Sequence, residues 1–372
     1  MRMTPDRFEA RPELEDLLLD AQGAPITTAA QWQAQRARLA ALIEDCMLGH
    51  APQDGAVAGE TLCSEEAFGG KALREVLRVR YGPGLAYAFD VAVLRPNTAG
   101  PCAVITWNQF GTASEFCVPC PVEEEAVARG YAIAVFDREQ LVPDHPGEPG
   151  AVREAYPACD GGAIRLWGWA HSKLADYLVT LPWVDATRLI ATGHSRGGKA
   201  ALAACAYDAR FALCAPINSG CAGAGCFRFL GDAEGLCQDP VRVECLGRIA
   251  QVFPYWWNDS FPTFGGDVPP HWPGREAHLP FDLHALKALV APRALLSCEG
   301  LDDAWANPYG TFLTWRAAQP VFALLGAPDS NAVFYRPGQH AFSRIDWLTL
   351  LSFCDRVLYG RAVAPTWNNA PF

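Results

Sequence analysis

Two short runs of the chain, CAVITWN at 102–108 and YAIAVFD at 131–137, are almost continuously apolar. A strand with one face in water alternates apolar and polar residues. A strand without alternation must be covered on both faces, as in a parallel sheet between layers of helices. Further runs of this kind follow: RLIATG (188–193), FALCAPINSG (211–220), RALLSCEG (293–300) and NAVFYRPG (331–338). Helical patterns separate several of them, notably AIRLWGWAHSKLADYLVTL (163–181) and GKAALAACAYD (198–208). Upstream, LREVLRVRYG and AYAFDVAVLRPN do alternate, and Gly82-Pro83-Gly84 between them predicts a hairpin. Residues 27–47 read as a helix capped by Thr27 or Thr28. The expectation is an open, mostly parallel α/β sheet of about eight strands flanked by helices.

The chain of 372 residues is half hydrophobic and only 19% charged, so one large core is feasible. A single domain is expected, with a helical N-terminal extension (1–70) and a loop-rich, Trp- and Pro-rich insertion (221–282) over the sheet edge where ligands bind. A net charge of −11 without a basic cluster argues against a nucleic-acid partner. No run of eighteen apolar residues suggests a membrane-spanning helix. The first residues lack an apolar stretch behind a basic head, which points to a cytoplasmic protein. Fourteen cysteines are many for that compartment. Cys205, Cys214 and Cys298 lie in core-like runs, while Cys117/Cys120 and Cys221/Cys226 are spaced for a metal or disulfide test. With no second CxxC at zinc-ribbon spacing, reduced thiols and no metal or cofactor are expected, in a monomer.

Between RLIATG and the next helix stands ATGHSRGGKAAL (191–202), which holds G-x-S-x-G at Gly193, His194, Ser195, Arg196 and Gly197. The five-residue pattern alone is weak. Placed between a strand and a helix it predicts a sharp elbow that presents Ser195 as a nucleophile, with the helix amides aimed at a nearby oxyanion. Such a serine needs a histidine base, and the histidine needs a carboxylate. Four histidines follow: His271, His278 and His284 lie in or beside the loop-rich stretch, whereas His340 alone follows the last strand. For the acid, LLSCEGLDDAW ends a strand in a turn with both Asp302 and Asp303, and the G-x-x-D spacing favours Asp303. Alternatives outside this reading are a binding protein with an inactive triad, and a carbohydrate acetyl esterase or general small-ester hydrolase on the same fold.

Several segments resemble the bacterial glucuronoyl esterases of the α/β-hydrolase superfamily: WGWAHSKLADYLVTLPWVDATRLIATGHSRGGKAAL, LPFDLHALKALVAPRALL, DDAWANPYG and RPGQHAF followed by Asp346-Trp347. The element Ser195-Arg196 with Lys199 is more specific than the serine pentapeptide. The resemblance implies an α/β-hydrolase fold and a serine carboxyl-ester hydrolase that cleaves esters of glucuronic acid, of the 4-O-methyl-glucuronoyl type, in a small molecule or an oligosaccharide. It implies that Arg196 stabilises the oxyanion and that Lys199, Trp305 and Glu244 contact the sugar. The chain departs from the family in one place. Many members carry the triad glutamate just after the strand that follows the elbow helix; here the run is PINSG, with Asn218 in that position. An amide supplies no negative charge, so the acid role moves to the Asp302–Asp303 turn.

Overall fold

The structure, a computed structural model, describes residues 2–53, 55–110, 120–230, 243–266 and 274–372. Its centre is a nine-stranded sheet in the order β1-β2-β3-β5-β4-β6-β7-β8-β9. The strands are β1 Ala58–Ala67, β2 Ala72–Tyr81, β3 Tyr87–Pro96, β4 Cys102–Gln109, β5 Tyr131–Asp137, β6 Val184–His194, β7 Phe211–Ile217, β8 Ala294–Gly300 and β9 Asn331–Arg336. β1, β2 and β3 form antiparallel pairs, β3 meets β5 antiparallel, and every pairing from β5 to β9 is parallel.

The unbroken apolar runs sit where the covering argument requires. Along β4 and β5, Ala103, Ile105, Tyr131, Ile133 and Val135 join the core on one face, with Trp347 and Leu350 of the Arg344–Tyr359 helix. Val104, Ala132, Ala134 and Phe136 join the core on the other, with Trp167 and Leu174 of the Ala163–Leu178 helix and Leu202 of the Arg196–Tyr207 helix. The β2–β3 hairpin turns through Gly82 and Gly84, both at positive φ, with a single 3-10 turn at Pro83–Leu85. The first helix is Ala29–Ile43, capped by Thr28 and not Thr27, with Gln31 closing a capping box.

The nine strands exceed the expected eight by β1, which corrects the expectation of a helical extension over 1–70. That stretch holds one long helix and then the edge strand. Most of β1 is exposed, and its sequence AGETLCSEEA has no buried face to impose an apolar alternation. The 221–282 stretch contributes the short helices Leu246–Val252 and Pro262–Gly265. Cys117 lies outside the described residues. Every cysteine among the described residues is a free thiol, Cys120, Cys221 and Cys226 included, and these three are buried.

Candidate active site

The parallel strands end together on one edge of the sheet, where β6 leads into Ser195, β8 into Asp303 and β9 into His340. Ser195 has φ 56° and ψ −125°, a conformation that costs a non-glycine residue about 1–3 kcal/mol. Its surroundings hold it there: the Ser195 amide donates to Ile217 O at 2.9 Å, and its carbonyl accepts from the Gly198 amide at 2.8 Å. The turn is tight enough that two glycines are obligatory. A Cβ on Gly193 would stand 2.2 Å from the Gly197 carbonyl oxygen, and one on Gly197 would stand 2.7 Å from Asn108 Oδ1.

Beneath the elbow runs a buried polar chain that the sequence did not announce. Thr106 Oγ1 donates to Ile190 O at 3.1 Å and lies 2.7 Å from His171 Nδ1; Asn108 Nδ2 lies 2.7 Å from His171 Nε2 and donates to Gly197 O at 2.9 Å. These partners fix a neutral His171 with its proton on Nδ1. Burial lowers its pKa to about 3, and the neighbouring rings are Phe136 and Phe211. The unfolded chain binds a proton near pH 6.5 that the folded chain refuses until about pH 3. The His171 contribution to stability is therefore complete above pH 6.5 and is lost as pH falls from there toward 3. A His171→Asn variant is expected to lose stability less steeply than the parent between pH 6.5 and 4, by up to ~1.4 kcal/mol per pH unit. Denaturant titrations at several pH values check this; equal slopes would contradict it.

On the other side of the cleft, His340 Nδ1 lies 2.6 Å from Asp303 Oδ2, and Asp303 is 2% exposed. The second Asp303 oxygen accepts from the Ala306 amide at 3.2 Å. Burial pushes the Asp303 carboxyl upward, but the hydrogen bond and charge of His340, then Asn218 and the Ala306 amide, outweigh it and hold the group below its usual range. Asp302 does something else: its carboxylate accepts from the Gly338 amide at 2.7 Å, and its own amide donates to Gly338 O at 3.1 Å, pinning the histidine loop. Asn218, at φ 43°, donates to Asp303 Oδ2 at 2.8 Å and accepts from Arg336 Nη2 at 3.2 Å. The Arg336 guanidinium also donates to the carbonyls of Gln339 and Ala341, the residues on either side of His340, and is paired with buried Asp346. The histidine loop is thus tied at both ends. His194, inside the pentapeptide, packs its ring 4.4 Å from that of His340 and is kept neutral, with its pKa lowered to about 3 chiefly by burial.

Ser195, Arg196 and His340 line one cleft of 760 Å³, together with His194, Arg138, Trp107, Phe110, Phe342 and Trp347. The hydrogen bond that His340 makes among the described residues is to Asp303, and a contact between its other ring nitrogen and a nucleophilic hydroxyl is of the kind that tightens in the complex with substrate. The aromatic wall is packed ring on ring: the Phe342 and Trp347 rings stack at 4.4 Å, with the edge of Trp107 against both. The remaining histidines are elsewhere. His278 contacts Phe8 O and His284 contacts Glu15 O, while His271 is outside the described residues.

Of the three expected sugar contacts, the Lys199 and Glu244 side chains pair directly, and Trp305 meets them through its backbone while its ring lies over Arg248 at 4.8 Å. Lys199 Nζ is 2.7 Å from Glu244 Oε2 and donates to Ser219 O at 2.7 Å, with both charged side chains almost fully buried. The Glu244 amide donates to Trp305 O at 3.0 Å. The ring of Trp256 connects this group to the elbow, lying 5.9 Å from Lys199 Nζ and 4.9 Å from the Arg196 guanidinium.

A family model described as "Glucuronyl esterase, fungi" matches residues 84–326. A carbohydrate esterase from an unknown prokaryotic organism is 28% identical over 94% of this chain and 90% of its own length. A 4-O-methyl-glucuronoyl methylesterase of Phanerochaete carnosa is 27% identical over 95% of this chain and 83% of its own. Among solved structures, a glucuronoyl esterase from Solibacter usitatus superimposes with a TM-score of 0.78 at 27% identity, covering 94% of this chain and 99% of that one. One from Caldicellulosiruptor kristjansonii gives 0.76 at 28% identity, over 98% and 97% of the two chains. The sheet, the serine elbow and a match over more than half of its length make this chain a member of the glucuronyl esterase family.

Proposed function

We propose that the protein is a serine hydrolase of uronic acid esters, of the 4-O-methyl-glucuronoyl type, in which Ser195, His340 and Asp303 form the triad and Arg196 meets the oxyanion. The observation that carries this reading is the Asp303–His340 contact facing the Ser195 elbow across one cleft, in a chain of this family. His340 Nε2 takes the proton as Ser195 Oγ attacks the ester carbonyl. Asp303 stabilises the imidazolium, and the Arg196 cation faces the negative charge that develops on the carbonyl oxygen. Collapse expels the alcohol, protonated by His340, and leaves an acyl-enzyme. Water activated by the same histidine then releases the uronic acid. The Lys199–Glu244 pair and Trp305 hold the sugar, and the Trp107–Phe342–Trp347 wall faces the alcohol.

Lys199 separates this reading from an acetyl esterase. The Lys199→Ala variant is expected to raise KM for methyl or benzyl glucuronate by roughly tenfold, the value of about 1.4 kcal/mol of lost binding, and to leave 4-nitrophenyl acetate nearly unaffected. It is also expected to destabilise the fold by on the order of 3 kcal/mol, since Glu244 stays buried without its cation. Initial rates on the two esters, taken well below the lowered melting temperature, decide it. Equal losses on both would remove Lys199 from the sugar site.

A further inference from the structure

Arg196 is a cation held by a carboxylate from a different loop. Its Nη1 lies 2.7 Å from Asp144 Oδ2 while the arginine side chain is 34% exposed and the aspartate 3%. Asp144 follows β5 and gathers more donors than this one. Trp256 Nε1 donates to Oδ1 at 2.9 Å, the Tyr255 hydroxyl approaches Oδ1 at 3.4 Å and donates to the Asp144 carbonyl at 2.9 Å, and Arg138 Nη2 lies 3.5 Å from Oδ2. Glu139 Oε1 accepts from the Asp144 amide at 3.3 Å, so the backbone is held as well. Arg138 is itself buried against the Trp167 ring at 5.0 Å, and it lines the same cleft as Ser195. The Trp256 ring that donates to Asp144 also lies 4.9 Å from the Arg196 guanidinium, so one tryptophan fixes both the carboxylate and the cation.

We propose that Asp144 is the positioning residue for the Arg196 guanidinium, holding at the serine elbow a cation that would otherwise sample solvent. The inference rests on the reading of Arg196 as the oxyanion partner. A flexible arginine stabilises a transition state only if its charge is already in place when the oxyanion forms. An ordinary half-exposed ion pair would have one donor and would contribute little. Here three side chains besides Arg196 converge on a nearly inaccessible carboxylate, an arrangement that orients the group. Replacing Asp144 by asparagine keeps the shape but turns acceptor into donor on one side. It also removes the charge that separates Arg138 from Arg196, so the two guanidiniums repel and the exposed one withdraws.

The test is a double-mutant cycle over Asp144→Asn and Arg196→Ala, read by ester turnover. It is read in parallel by the rate at which a fluorophosphonate labels Ser195, where Oγ bonds to phosphorus, fluoride leaves and His340 takes the proton. That probe needs the oxyanion site and no sugar. Arg196→Ala is expected to lower kcat by roughly a hundredfold. Asp144→Asn is expected to lower it by about tenfold or more with KM little changed, and to add less than about twofold in the Arg196→Ala background. Trp256→Phe, which removes one donor to Asp144 and keeps a ring, is a second route if Asp144→Asn folds poorly. It is expected to lower kcat severalfold, again without adding to Arg196→Ala. Losses that multiply in the double variant, or a wild-type rate in Asp144→Asn, overturn the positioning role alone. A preserved cycle with fluorophosphonate in a protein inert to uronate esters overturns the substrate reading alone. A wild-type protein inert to both overturns both.

Discussion

Replacing Ser195 by alanine, or His340 by alanine, is expected to lower ester turnover by at least about a thousandfold, and the double replacement by little more than either one. Triad members act as a unit: without the hydroxyl there is nothing for His340 to deprotonate, and without the imidazole the hydroxyl stays a poor nucleophile. Neither change should unfold the chain. Ser195 and His340 both open onto the cleft, and the histidine loop remains tied by Arg336 and Asp302. Far-ultraviolet circular dichroism and melting curves would establish the fold, and burst-free hydrolysis rates the loss. Near-normal turnover in either folded variant would remove the triad.

The second large effect belongs to Asp303. Asp303→Asn is expected to cost several hundredfold or more in kcat. The same exchange in the serine-protease triad costs about ten-thousandfold, because the amide presents a donor where the imidazole N–H needs an acceptor. Asp303 Oδ2 serves His340 Nδ1 and Asn218 Nδ2 while Oδ1 accepts from the Ala306 amide, so an amide placed there must turn its NH2 towards a donor on one side or the other. Asn218→Ala leaves the carboxylate and its charge, and Asp302→Asn leaves the acceptor that faces the Gly338 amide. Each is expected to cost tens of fold at most. Ranking kcat across the three variants checks the assignment. An Asp302 or Asn218 variant that falls as far as Asp303→Asn would contradict it.

What could be read from sequence divides by physical cause. β4 and β5 were legible because burial on both faces forces an apolar residue at nearly every position, with Thr106 and Asn108 admitted by their bonds to His171. β1 was not, because an edge strand with a solvated surface carries no such constraint. The serine elbow was legible because the turn admits only glycine at Gly193 and Gly197, which leaves a fixed spacing. His340 and the acid turn followed from chain order, since parallel strands deliver their loops to one edge. The Asp302–Asp303 choice rested on a spacing preference, and the geometry separates the two by what each carboxylate accepts from: a loop amide for Asp302, an imidazole for Asp303. The supporting groups left no local signature. His171 reads as one more position on an amphipathic helix, and Asp144, Arg138 and Arg336 meet their partners only after strands far apart in sequence are assembled. Nor did the resemblance to a family show that Asn218 would serve Asp303 rather than touch the histidine.

The central claim is that the cleft takes the acyl side of its ester as a uronic acid. It is tested most directly by comparing kcat/KM of the purified protein for benzyl glucuronate and for 4-nitrophenyl acetate. A sugar-acid site, with Lys199, Glu244 and Trp305 gathered by the elbow, predicts a clear preference for the glucuronate despite the better leaving group of the acetate. Faster hydrolysis of 4-nitrophenyl acetate, with the glucuronate untouched, would contradict it.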